Sequence, residues 1–254
     1  MNSPMSPVGE LFSMIRIISF LIILSFPILG YTPGKWSHKD AYLFKKVKKV
    51  PNKEIVRNGE GQVVYVAEYE YNSDGKLITE TYSDKEGKGD GKTSFRYTDG
   101  LLSSEEVYDN GGHLVERKDF QFKGRALKKM NVKDGEGRLL IVYSIESDGE
   151  GNIFAAEGKN LETKDNESFR FQIDPKRPNV QIQYLTDDKK KGLGEIHFKF
   201  DAKGNLVERE FFQGETRRVH KLKYKADGSL ESHSFHVKQG DNWILEKTHV
   251  MVYE

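Results

Sequence analysis

The chain has 254 residues, with 40 Lys and Arg against 39 Asp and Glu, and no cysteine. That length suits one large domain or two small ones, and the missing thiol excludes disulfide scaffolds, zinc–thiolate centres, thiol catalysis and lipid attachment through cysteine. A formal charge of +1 offers no overall field for nucleic acid, while 15 Phe and 12 Tyr are too many aromatics for a disordered chain.

The first feature along the chain is Ile15 to Leu29, an apolar run with Arg16 near its start, Pro27 near its end and the small Gly30 after it. This is the pattern of a secretory signal peptide, and its apolar core, Ile17 to Phe26, is shorter than the roughly 20 residues a membrane-spanning helix needs. Residues 1–30 are therefore expected to be a cleaved signal, with Met14 an alternative start, leaving no transmembrane span.

Residues 31–53 form a basic segment. Lys45, Lys46, Lys48, Lys49 and Lys53 are its candidate contacts for an anionic partner, such as lipid, cell-wall polymer or an acidic protein surface. A solvated charged stretch is the simpler alternative. The best helical stretch, Lys39 to Val50, places Tyr42, Val47 and Val50 on one face, yet the same letters also fit a strand.

Residues 54–254 read as one β-repeat domain. Gly, Asn and Asp punctuate it at Asn58-Gly59, Asp74-Gly75, Asp99-Gly100, Asn110-Gly111, Asp134-Gly135, Lys203-Gly204 and Asp227-Gly228, the chemistry of tight hairpins that need positive φ. Between them apolar and polar residues alternate, as in Phe169 to Ile173, Val180 to Tyr184 and Ile196 to Phe200. Gly87 to Lys92 reads as a hairpin tip, and Trp243 to Tyr253 as the most apolar strand, suited to a central or interface position. The predicted fold is all-β: an antiparallel meander of a dozen or more strands, forming an extended twisted sheet or open barrel with an apolar concave face.

One phrase repeats. Tyr69 to Leu77, Phe198 to Leu206 and Leu222 to Leu230 each carry an aromatic four residues before glycine and six before leucine, and Tyr108 to Leu114 is a looser copy. The phrase resembles the YD or RHS-type β-hairpin repeats of bacterial exported proteins and, more loosely, MORN-like repeats. That resemblance implies a hairpin architecture. The long array and toxin-like C-terminal region of large RHS proteins are missing, so a toxin-delivery role does not carry over.

A search for chemistry finds no nucleophile elbow, zinc-protease helix, phosphate loop or dinucleotide fingerprint, and no cofactor or metal is expected. His233 and His236 alternate across a strand and would not share a metal, so the histidines read as surface residues. Glu68, Glu70, Glu80, Glu208 and Glu210 read as a solvated strand face or as members of cross-strand ion pairs. An outer-membrane barrel is disfavoured because the expected strands are short and charged on one face. The expectation is a non-enzymatic, exported envelope or surface protein that acts as a protein-binding or structural module through sheet faces or edges. The alternatives are a carrier holding a lipid or other apolar ligand against Phe169, Phe171, Phe198 and Phe200, and a glycan-acting enzyme of the cell wall.

Overall fold

The computed structural model describes residues 49–147 and 153–253. The signal peptide, Lys45, Lys46, Lys48, nearly all of the Lys39–Val50 stretch and the Asp148 to Gly151 turn lie outside the described residues. The elements are β1 (Lys53–Asn58), β2 (Val63–Tyr71), β3 (Leu77–Asp84), β4 (Gly89–Thr98), β5 (Leu101–Tyr108), β6 (Leu114–Lys123), β7 (Ala126–Asp134) and β8 (Leu139–Ser147). They continue as β9 (Ile153–Asn160), β10 (Asn166–Asp174), β11 (Arg177–Asp187), β12 (Gly192–Phe200), β13 (Leu206–Gln213), β14 (Thr216–Tyr224), β15 (Leu230–Gln239) and β16 (Asn242–Val252).

Each strand pairs antiparallel with the next, and β1 pairs with β16, so the 16-stranded meander closes into a barrel. The expected open sheet with two free edges is corrected here: the apolar C-terminal segment is the closing strand, running from Lys53 opposite Val252 to Asn58 opposite Lys247. Closure satisfies the backbone groups that an edge would leave to solvent or to another chain.

The turns follow a rule finer than the Asn-Gly and Asp-Gly pairs suggested. Eight hairpins among the described residues are five-residue loops closed by a hydrogen bond between their first and last residues, such as Asn72 N–H to the Lys76 carbonyl. In Asn72 to Lys76 the Asn72 side-chain oxygen also accepts the amides of Asp74 and Lys76. Asn58, Asp84, Asp109, Asp134, Asp187 and Asp201 repeat the device. The fourth loop position is left-handed, so Gly61 (φ +83°) rather than Gly59, and Gly137 rather than Gly135, carries the required conformational freedom. Gly59 serves packing instead, since a Cβ there would lie 2.3 Å from the Leu245 carbonyl oxygen. Residues 89–92, expected at a hairpin tip, belong to β4.

Cross-strand partners point to the same side of a sheet, so the register divides the barrel into two walls. Following partners around the ring joins Phe169, Gln183, Ile196, Phe198, Arg209, His220, His233, His249, Glu54, Ala67, Tyr69, Glu80, Thr93, Phe95, Glu105, Lys118, Val132 and Tyr143 on one wall. This wall holds the apolar core cluster and is the inner one. Glu68, Glu70, Arg96, Lys159, Arg170, Lys199, Lys221 and Lys223 are exposed on the other.

The rim that carries both Pro51 and Tyr253 is apolar. Leu77, Leu102, Leu127, Leu206 and Leu230, one from each of five hairpins, are buried there beside Ile153 and Pro51. Tyrosines from neighbouring strands lock the ring: Tyr71, Tyr97, Tyr224 and Tyr253 donate their hydroxyls to the carbonyls of Pro51, Leu77, Leu206 and Leu230 at 2.7–2.9 Å. The repeated aromatic and leucine thus build this rim. Burial pushes the Tyr224 hydroxyl up to about 12, with Asp201 and Tyr253 adding to it.

Candidate functional site

The most polar part of the inner wall is a belt crossing β13 to β3. His220, His233 and His249 come from three consecutive strands, and their rings lie in a row, tilted by 35° and 33°, with centroids 4.9 and 5.0 Å apart. His220 and His233 share a hydrogen bond of 2.9 Å between Nδ1 and Nε2. His249 continues the row to the buried carboxylate of Glu54, which also accepts the Tyr69 hydroxyl. Burial drives the Tyr69 hydroxyl well above its usual range, and the negative charges of Glu54 and Glu80 push the same way. On the other flank Phe211 and Phe235 lie against His220, and the Arg209 guanidinium sits 4.4 Å from the centre of the Phe211 ring.

This arrangement corrects two expectations. His220, His233 and His249 are not surface residues, and Glu80 is not part of a solvated face: like Glu54 it is 2% exposed. The cause is parity, because each residue shares its side of the sheet with Ala67, Met251 or Leu222 through cross-strand pairing. His233 and His236 do face opposite walls, with His236 outside beside Ser234 at 3.0 Å. Burial lowers the His236 imidazole from its ordinary value, and the Lys221 charge adds to the effect. Among the described residues no three His, Asp or Glu side chains are grouped as a metal ion would need.

On β10 to β12 the inner wall is aromatic. Phe169, Phe171 and Phe198 are buried there, Phe200 packs against them, and the Phe171 and Phe198 rings approach to 5.9 Å. Gln183 lies between their strands with 0% exposure, and among the described residues neither its side-chain oxygen nor its nitrogen has a hydrogen-bond partner. Leaving such a group unpaired costs about 1–3 kcal/mol. The four phenylalanines named from alternation thus share one wall; the belt was invisible because its members are 13 to 195 residues apart in sequence.

The outer wall has its own ordered chemistry. Glu106 is buried beneath Arg96 and Arg117, at 3.0 and 3.4 Å, and accepts the Tyr108 hydroxyl at 2.7 Å. Arg117 passes the network to Asp119 at 2.7 Å, and Lys133 completes it at 2.8 Å. Burial alone would raise the Asp119 carboxyl, but Lys133 and Arg117 together hold it below the usual range. Of the basic candidates, Lys53 pairs with Glu68 on this wall at 2.9 Å. Lys49 pairs with Asp227 at 3.6 Å and lies over the Tyr253 ring at the apolar rim. The structure brings these two to carboxylates of the same chain.

No protein-family model and no curated protein matches this sequence. The fold is similar to a porin-like protein from Bacteroides uniformis, with 12% identity and a TM-score of 0.52 over 81% of this chain and 99% of that one. A porin-like protein from Bacteroides vulgatus aligns over 82% of this chain and 99% of that one, with 13% identity and a TM-score of 0.48. The TcdB2-TccC3-Cdc42 structure aligns over 77% of this chain but 15% of that one, with 10% identity and a TM-score of 0.21. The first likeness shows a shared barrel fold; the other two carry no further weight.

Proposed function

We propose that this chain is an exported, non-enzymatic protein of the cell envelope that binds another envelope protein through its charged outer wall and hairpin rims. The observation that carries the reading is the composition of that wall. Arg170 and Lys221 stand exposed along the middle of β10 and β14, where in a lipid-facing barrel such a cation would cost about 2–4 kcal/mol near the bilayer midplane, and Lys159, Lys199 and Lys223 stand exposed nearer the strand ends. The wall is suited to water, hence to the periplasm or the cell surface, and the apolar run at Ile15 to Leu29 supplies the export address. Because closure leaves no edge strand, the idea of binding through sheet edges is dropped, and recognition falls to side chains.

Cell fractionation with in vivo cross-linking and mass spectrometry tests the reading. One envelope protein joined reproducibly through outer-wall lysines is the expected result. A free monomer with no joined protein would end it.

A second reading rests on a specific observation, the unpartnered Gln183 amide among Phe171, Phe198 and Ile196. An apolar ligand with an amide or hydroxyl group would satisfy Gln183 and turn the barrel into a carrier. Native mass spectrometry showing a bound small molecule would favour it, whereas an unliganded mass would remove it.

A further inference from the structure

We propose that copies of this barrel stack end to end, the acidic rim of one docking on the basic rim of the next. The inference goes beyond the partner-binding reading above, because it needs no second protein.

It begins with where apolar side chains meet water. Exposed apolar residues scattered singly are ordinary on a soluble protein. Here they are not scattered: among the described residues the large ones are Val115, Phe154, Ile173, Leu193, Trp243 and Ile244, and each lies within three residues of a strand end. Even-numbered strands run toward the rim of Pro51 and odd-numbered strands away from it. Val115, Leu193, Trp243 and Ile244, near the starts of β6, β12 and β16, therefore stand at the far rim. Phe154 and Ile173, near the start of β9 and the end of β10, stand at the Pro51 rim.

The two rims also differ in charge. The eight hairpins of the far rim, counted with the strand residue on either side of each, hold twelve Asp and Glu against seven Lys and Arg. The six described hairpins of the Pro51 rim, counted the same way, hold five Asp and Glu against seven Lys and Arg. At the far rim Glu60, Asp165, Asp188, Glu215 and Asp241 are exposed and form no salt bridge among the described residues. At the Pro51 rim Lys123, Arg125, Lys176 and Lys203 are equally exposed and equally unbridged. Two far rims would repel one another, whereas unlike rims attract, so charge selects a head-to-tail arrangement.

The end faces are large enough. Sixteen strands about 4.8 Å apart and tilted by about 40° make a rim roughly 100 Å around, and a wall about 10 Å thick gives it an end face on the order of 1,000 Å². A stable interface takes about 800 Å² from each partner. The two faces match in circumference because they close the same strands, and closure leaves no edge through which copies could pair strands instead. Docking of unlike ends leaves one end free at each terminus, so the product is an open row of barrels.

Sedimentation velocity of the purified full chain tests this. The parent is expected to be a monomer near about 1 µM, to assemble in low salt as it approaches about 100 µM, and to come apart in about 0.5 M salt. Lys123→Glu, Arg125→Glu and Lys176→Glu together make both rims acidic; Asp188→Lys, Glu215→Lys and Asp241→Lys together make both basic. Each triple variant alone is expected to need at least about 10-fold more protein to assemble. An equimolar mixture of the two is expected to assemble as the parent does, which misfolded variants would not do. A parent that stays monomeric, triple variants that assemble like the parent, or a mixture that stays monomeric would each overturn the proposal.

Discussion

The two walls of the barrel use the same residue types to opposite ends. On the outer wall Glu68 and Glu70 are exposed, and Lys53 reaches Glu68 across solvent-facing side chains. One residue away in the alternation, Tyr69 is buried, and its inward partners Glu54 and Glu80 are buried with it. Nothing in the identity of a glutamate separates the fates of Glu68 and Glu70 from those of Glu54 and Glu80; parity relative to Ala67 does. A charge on the inner wall must therefore be held by a partner, as Glu54 is by His249 and Tyr69, whereas outside only a carboxylate that sinks beneath its neighbours, as Glu106 does under Arg96 and Arg117, needs one, and exposed charges such as Glu70 are held by water.

That contrast predicts a graded series of substitutions, read as the urea midpoint of the purified protein. Phe198→Ala on the inner wall is expected to cost about 3–5 kcal/mol, because it opens a cavity in a site with no exposure. Glu54→Ala should cost about 2–4 kcal/mol, since His249 and Tyr69 each lose an acceptor in a buried place. Gly75→Ala, at φ +74° in the Asn72 to Lys76 loop, should cost about 1–2 kcal/mol through backbone strain. Glu68→Ala on the outer wall should stay within about 0.5 kcal/mol, as exposed ion pairs do. A Glu68 effect as large as that of Glu54 would erase the distinction between the walls.

Acid sharpens the comparison on the outer side. Asp119 is depressed by Lys133 and Arg117 despite its burial, so folding holds fewer protons there than the unfolded chain does. Its contribution is complete above the unfolded carboxyl value of about 3.9 and is lost as pH falls through the lower folded value. Acid unfolding of Asp119→Asn should show a smaller drop below about pH 4 than the parent chain; an identical drop would mean that Asp119 takes no part in it.

Much of the fold was legible because strands and hairpins are local. Alternation at Phe169 to Ile173 and Ile196 to Phe200 fixed strands and their apolar faces, and the phrase ending at Leu77, Leu206 and Leu230 marked hairpins that build one rim. Closure was not legible, because β1 and β16 are joined only by register at the two ends of the chain. For the same reason the belt escaped notice: His249 and Glu54 meet across that seam. Parity within a strand can be read from sequence, but which charged residues share the apolar side depends on bulges, such as those after Lys223 and Phe235, that shift register without a signature in composition.

Hydroxyl-radical footprinting of the native protein, read residue by residue, tests the central distinction most directly. Trp243 and Phe154 on the exposed surface should be oxidised readily, while Phe198, Phe171 and Met130 on the inner wall should be protected until the chain unfolds. Inner-wall oxidation at the rate of Trp243 in the folded protein would mean a water-filled channel and would contradict the account.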